Sequence, residues 1–151
     1  NDILGYYGEA VFDELFFWDS WKHGDFIEAF FDVFSESLAY YAPMEEVRGN
    51  TIPGAGLSGT VYNNPVTVKG RVGKGISLNG INQYVNLFNP FADLRQDCFG
   101  DLEKCEEGGA TLSFWMKIGS KDSKSDMYYF SSGGQTEKSH GITVLWKNGK
   151  L

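Results

Sequence analysis

The chain of 151 residues has only two histidines, two cysteines and four prolines, and its 13 Lys and Arg are outnumbered by 20 Asp and Glu. No Lys/Arg cluster is present, which excludes a nucleic-acid partner, because phosphate contacts need grouped positive charge. No stretch approaches the roughly 18 consecutive apolar residues of a membrane helix, so no membrane span is expected in this window. Nor does a basic-then-apolar leader open at Asn1. Gly-x-Ser-x-Gly and a paired-histidine signature are both missing, so a serine nucleophile would lack its base and oxyanion site. Gly54-Ala-Gly-Leu-Ser-Gly59 lacks the Gly-Lys-Ser/Thr that engages a nucleotide and reads as a flexible loop. Asp13 and Glu14 are neighbours on a strand, so their side chains point opposite ways and do not form a facing pair of carboxylates. These absences point away from an enzyme. No Asn-x-Ser/Thr acceptor occurs, so N-glycosylation is not expected.

The residues present can fill a core. Apolar residues make up 42% and aromatics 16%, with 12 Phe, 8 Tyr and 4 Trp beside 19 Gly, a mixture that suits a sheet-rich chain with many turns. The clearest strand is Thr111 to Ile118, with Leu112, Phe114, Met116 and Ile118 on one face and Thr111, Ser113, Trp115 and Lys117 on the other. Upstream, Ile76 and Leu78 alternate with Ser77 and Asn79, a glycine turn comes next, and Val85 and Leu87 share a face of the following strand. Met127 to Ser132 reads as a further strand. Ile142, Val144 and Trp146 then alternate before Asn148-Gly149, a strong two-residue hairpin turn. Near the start, Ala10 to Trp18 is apolar on both sides of a period-2 template and so reads as a strand buried on both faces. Phe26, Ile27, Phe30, Phe31 and Phe34 have the spacing of one short amphipathic helix near residues 25–34, with Asp25 as its N-cap.

The acidic residues Asp93, Asp97, Asp101, Glu103, Glu106 and Glu107 crowd around Cys98 and Cys105. They could offer oxygen ligands to Ca²⁺, but their spacing follows no calcium-loop template, and a solvated acidic loop is the simpler account. Cys98 and Cys105 enclose six residues. A local disulfide is expected, with free thiols as the alternative. A metal pair would need two further ligands, and His23 and His140 sit in separate segments. Tyr40, Tyr41, Tyr62, Tyr84 and Trp115 could stack on sugar rings if exposed, although aromatics of a sandwich mostly fill its two inner faces.

The run Gly70-x-x-Gly-Lys-Gly-x-x-Leu-x-Gly-x-x-x-Tyr-Val85 followed by Thr111-Leu-Ser-Phe-Trp115 resembles the front half of a laminin G-like domain, the concanavalin-type jelly roll that also includes the pentraxins. The resemblance implies an antiparallel β-sandwich with the Thr111 strand in its middle. Phe12-Asp-Glu-Leu15 with Trp18 and the helix after it resembles the end of such a domain. Residues 1–36 are therefore expected to be the last strand and helix of a preceding module, and residues 37–151 the front of the next, within a tandem array. A circularly permuted single sandwich is the competing arrangement; it would pair the strand around Phe12 with strands from residues 38 to 151, whereas tandem modules would pair it elsewhere. In the same family an acidic residue near the last strand often binds calcium, which marks Asp13 as the candidate ligand; its alternative is a carboxylate that accepts backbone N–H groups. Cys-x6-Cys ahead of the Thr111 strand resembles extracellular members. The resemblance implies a non-catalytic extracellular recognition or adhesion module, binding a glycan, a protein or neighbouring copies of itself. The alternatives are an accessory carbohydrate-binding module of a secreted hydrolase and a structural subunit of an extracellular filament.

Overall fold

The computed structural model describes residues 9–18, 38–55, 58–88, 98, 100–105, 110–119, 126–133 and 140–151. The helix expected near residues 25–34 lies outside them. Among the described residues the chain is all-β: ten strands and a single 3-10 turn at Leu102–Lys104. The strands are β1 (Glu9–Trp18), β2 (Leu38–Ala42), β3 (Thr51–Ile52), β4 (Ser58–Tyr62), β5 (Val66–Lys69), β6 (Lys74–Asn79), β7 (Tyr84–Phe88), β8 (Thr111–Ile118), β9 (Met127–Ser131) and β10 (Thr143–Trp146). Every pairing between them is antiparallel.

Strand β1 organises the largest sheet. One of its edges runs along β8 from Ala10↔Ile118 to Trp18↔Thr111. The other edge is shared: Glu9 to Phe12 pair with β6, and Leu15 to Trp18 pair with β2. At the fork between those partners the register against β8 slips, because Asp13 faces Trp115 while Phe16 faces Ser113. One extra residue on β1 is a β-bulge, and it inverts the alternation. Before it Ala10 and Phe12 face the core; after it Leu15 does. The apolar run on both sides of a period-2 template thus has a physical origin, since an inward set on even positions changes to odd positions midway. The run is also flanked by strands on both edges.

One buried cluster takes side chains from two sheets. Leu15, Tyr40, Ala42, Ile76 and Leu78 come from the β1 sheet, Ile52 and Val61 from the β3-β4-β7 sheet, and Val85, Leu87, Leu112 and Phe114 pack against them. The β9–β10 hairpin covers the other end of β1 and β8, where Ala10, Met127 and Tyr129 are buried with Met116, Ile118, Val144 and Trp146 beside them. The alternation read from the sequence in β6, β7, β8 and β10 therefore places the inward sets correctly. Asn148 and Gly149 have φ of 51° and 81°, the left-handed pair of a tight hairpin turn, closed by reciprocal bonds between Lys147 and Lys150.

The segment from Gly54 to Gly59 is not a loop throughout: Ala55 bridges Tyr41, and Ser58 and Gly59 open β4. Gly59 is buried in β4, where an added Cβ would come within 2.9 Å of Val85 Cγ1, so this glycine serves close packing. The division expected at residues 36 and 37 is crossed by strand pairing. Strand β1 pairs with β2, β6 and β8, all from residues 38 to 151, which is the pairing expected of the permuted arrangement and not of tandem modules.

Ile52 and Ile76 are fully buried, and removing such a side chain leaves a cavity as well as losing transfer energy. Ile76→Ala is expected to lower unfolding free energy by about 2–5 kcal/mol, whereas Val66→Ala on the exposed end of β5 should change it by less than about 0.5 kcal/mol; urea denaturation of both variants checks the contrast.

Candidate functional site

Asp13 lies at the fork of β1 and is only 2% exposed. The turn between β5 and β6, Gly70 to Gly73, folds over it. Consecutive backbone N–H groups of Arg71 and Val72 donate to Asp13 Oδ2 at 2.7 and 2.9 Å. Successive N–H groups aimed at one point form a small anion-holding nest, and here the anion is the protein's own. A second carboxylate holds the far side, where Glu45 Oε2 accepts the Lys74 N–H at 3.0 Å. The glycine spacing of the motif now has reasons. A Cβ at Gly70 would lie 2.5 Å from Asp13 Oδ2, and one at Gly75 would lie 2.5 Å from the Phe12 carbonyl oxygen. Gly73 adopts φ of 59° beside the Glu45 carboxylate, a left-handed conformation that costs an L side chain.

Asp13 therefore does what the alternative for it required, accepting backbone N–H groups. Calcium would have to compete with those N–H groups for the carboxylate. Such an ion takes about six to eight oxygens, one Asp13 oxygen already accepts two N–H groups, and those dipoles present their positive ends. Among the described residues Asp13 belongs to no group of three metal-ligating side chains. Its Oδ1 is buried with no hydrogen-bond partner.

Cys98 and Cys105 are joined in a disulfide with Cα atoms 4.6 Å apart. It closes the loop that carries the Leu102–Lys104 turn, which Asp101 caps by accepting the Glu103 N–H at 3.2 Å. Of the six acidic residues around it, Asp93, Asp97, Glu106 and Glu107 lie outside the described residues. Asp101 and Glu103 are met by His140, whose Nδ1 is 3.6 Å from Asp101 Oδ1 and 3.4 Å from Glu103 Oε1. One imidazole nitrogen and two carboxylates suit a transition-metal ion better than calcium, but Glu103 and His140 are exposed and the group reads as a solvated polar cluster. Sequence spacing gave no sign of His140 here, because it arrives from beyond the β9 strand.

The aromatics separate into two sets. Tyr40 is core and Tyr41 is half-buried, bridged to Ala55. Tyr62, Tyr84 and Trp115 are exposed by 38%, 37% and 53%. Trp115 carries the Arg71 guanidinium at 5.4 Å from its ring. Tyr62 and Tyr84 are register partners on β4 and β7, stacked with centroids 4.4 Å apart and planes 8° from parallel. Along the same outer face lie Thr60 opposite Asn86 and Ser58 opposite Phe88, itself exposed. Phe88 was missing from the sequence-derived set, although its i, i+4 relation to Tyr84 on a strand places both on one face. Beside the stack, Gln83 Nε2 donates to the carbonyls of Asn63 and Asn64 at 2.9 and 3.0 Å, and Asn63 Nδ2 to that of Asn82 at 2.6 Å. These amides fix the two loops that flank the tyrosines.

No family model, curated protein or solved structure matches the chain.

Asp13→Ala should leave two part-buried N–H groups without this acceptor and destabilise the fold by about 1–3 kcal/mol. Asp13→Asn keeps an acceptor and should cost clearly less; chemical denaturation of both orders them. Reducing the Cys98–Cys105 bond is expected to cost about 2 kcal/mol from restored loop entropy, read as a lower thermal midpoint in reductant.

Proposed function

We propose that the chain is a non-catalytic recognition module of an extracellular protein, built as a laminin G-like sandwich, and that its ligand is a glycan. Support for the compartment is the disulfide, since such bonds persist where the surroundings are oxidising. No described helix is long and apolar enough to cross a membrane. Support for the sandwich is the core that two antiparallel sheets share.

The observation that carries the ligand class is the outer face of β4 and β7. Its two columns, Ser58-Thr60-Tyr62 and Phe88-Asn86-Tyr84, alternate apolar rings with hydroxyl and amide groups. A sugar ring offers the same alternation, C–H faces beside hydroxyls that donate and accept. Ring faces supply apolar area and a quadrupole with its negative face outward, and the Ser, Thr and Asn side chains can both donate and accept. No charged residue belongs to either column, in a chain with 22% charged residues; an uncharged saccharide fits that face better than a sulfated or sialylated one. The ring stack is held by the sheet register and the amide-tied loops, so it requires no cation.

A glycan array probed with the wild-type chain, with and without EDTA, is expected to show neutral saccharides bound equally in both buffers. Tyr62→Ala and Tyr84→Ala should each weaken that binding roughly tenfold, about 1.4 kcal/mol, while the β4–β7 pair loses only about 0.2–1 kcal/mol of cross-strand stability. Binding abolished by EDTA, or unchanged in both tyrosine variants, would reject this face as the site.

A further inference from the structure

Strand β1 is the central piece of its sheet, and its partners do not pair with one another. Strands β6 and β2 meet its one edge at different heights and β8 meets the other, while among the described residues β8 has no strand partner except β1. Taking Glu9–Trp18 out of this arrangement would leave a slot with unpaired backbone edges on both sides. That slot also discriminates between sequences. It offers apolar sites for Ala10, Phe12 and Leu15 in the even-then-odd order set by the bulge, and between them the Arg71 and Val72 N–H pair, which requires an acceptor side chain at the position of Asp13.

We infer that the groove between β6/β2 and β8 is a strand-acceptor site, specific for an extended segment of the pattern Ala-x-Phe-Asp-x-Leu, and that the sheet built by residues 37–151 is completed by the segment that precedes it. Recognition of this kind joins main-chain pairing, which supplies affinity, to alternate side-chain pockets, which supply specificity. It here operates on both edges at once. The consequence is mechanical: the folding unit straddles the sequence boundary near residue 36, with Glu9–Trp18 locked between strands of residues 38–118. The inference rests on the strand pairing, the inward side chains and the Asp13 contacts, and stands apart from the glycan site.

The test starts from the folded full-length chain with a protease site inserted between Glu36 and Ser37. After cleavage the two pieces should co-elute and unfold in one transition. A fluorescent Glu9–Trp18 peptide in excess, added through a heat-and-cool cycle, should replace the native piece. The peptide carrying Asp13→Asn should compete within a few-fold of the parent, and the Asp13→Ala peptide at least tenfold more weakly. Separation of the pieces with residues 37–151 still melting cooperatively would overturn the proposal, as would a slot that takes no peptide or takes all three equally. Occupancy in the uncut chain is read by a second variant, Val11→Cys with Lys117→Cys, since those residues are register partners. A cross-link, within one copy or between two tagged copies, supports the slot and says which copy fills it; failure to cross-link under oxidising conditions counts against it.

Discussion

The Asp13 carboxylate holds the fold at its branching point. A strand that changes partners along one edge must at some residue belong to neither, and at that residue the backbone ladder offers nothing. Here the gap is closed by a side chain: Asp13 reaches the N–H groups of Arg71 and Val72 in the turn that joins β5 and β6. A buried carboxylate without partners would be strongly unfavourable, and N–H groups without an acceptor carry a cost of their own. Asp13 Oδ2 and the two N–H groups satisfy one another, while Oδ1 has no hydrogen-bond partner. Because the turn is fastened to β1, β5 and β6 keep their register, and because β1 bulges at the same residue, Leu15 re-enters the core that Phe12 has left off filling.

That arrangement divides the molecule by role. The inward sets of β1, β2, β6 and β8 meet those of β3, β4 and β7 in one apolar cluster. The outer face over Asp13 is occupied by the turn and by the Arg71–Trp115 contact. On the outer face of β4 and β7 the exposed tyrosine stack sits among hydroxyl and amide groups. A platform of aromatic rings is useful for recognition only if its spacing is fixed, and the Asn63, Asn82 and Gln83 amides fix the loops at its end through bonds to backbone carbonyls.

Much of this was legible in the residues. Period-2 alternation identified the inward faces of β6, β7, β8 and β10, since a strand with one wet face needs little beyond its own pattern to choose a side. Asn148-Gly149 announced its hairpin for an equally local reason. Strands β3 and β4 were hidden by their glycines and proline, because Gly59 is there for the approach of Val85 and Leu87, a reason that lies on another strand. The same holds for His140 beside Asp101 and Glu103, and for Phe88 beside Tyr84 on an exposed face.

The sequence by itself determined an all-β chain, the sides its main strands bury, the hairpin turn and a short loop that its two cysteines can close. Each depends on interactions among residues close along the chain. Only the tertiary structure decided that the strand of Glu9–Trp18 lies between β6 and β8, that Asp13 binds backbone amides, and that Tyr62, Tyr84 and Phe88 share an open face. Those outcomes depend on which edges meet across tens of residues, and alternation specifies the face of a strand but not its neighbour.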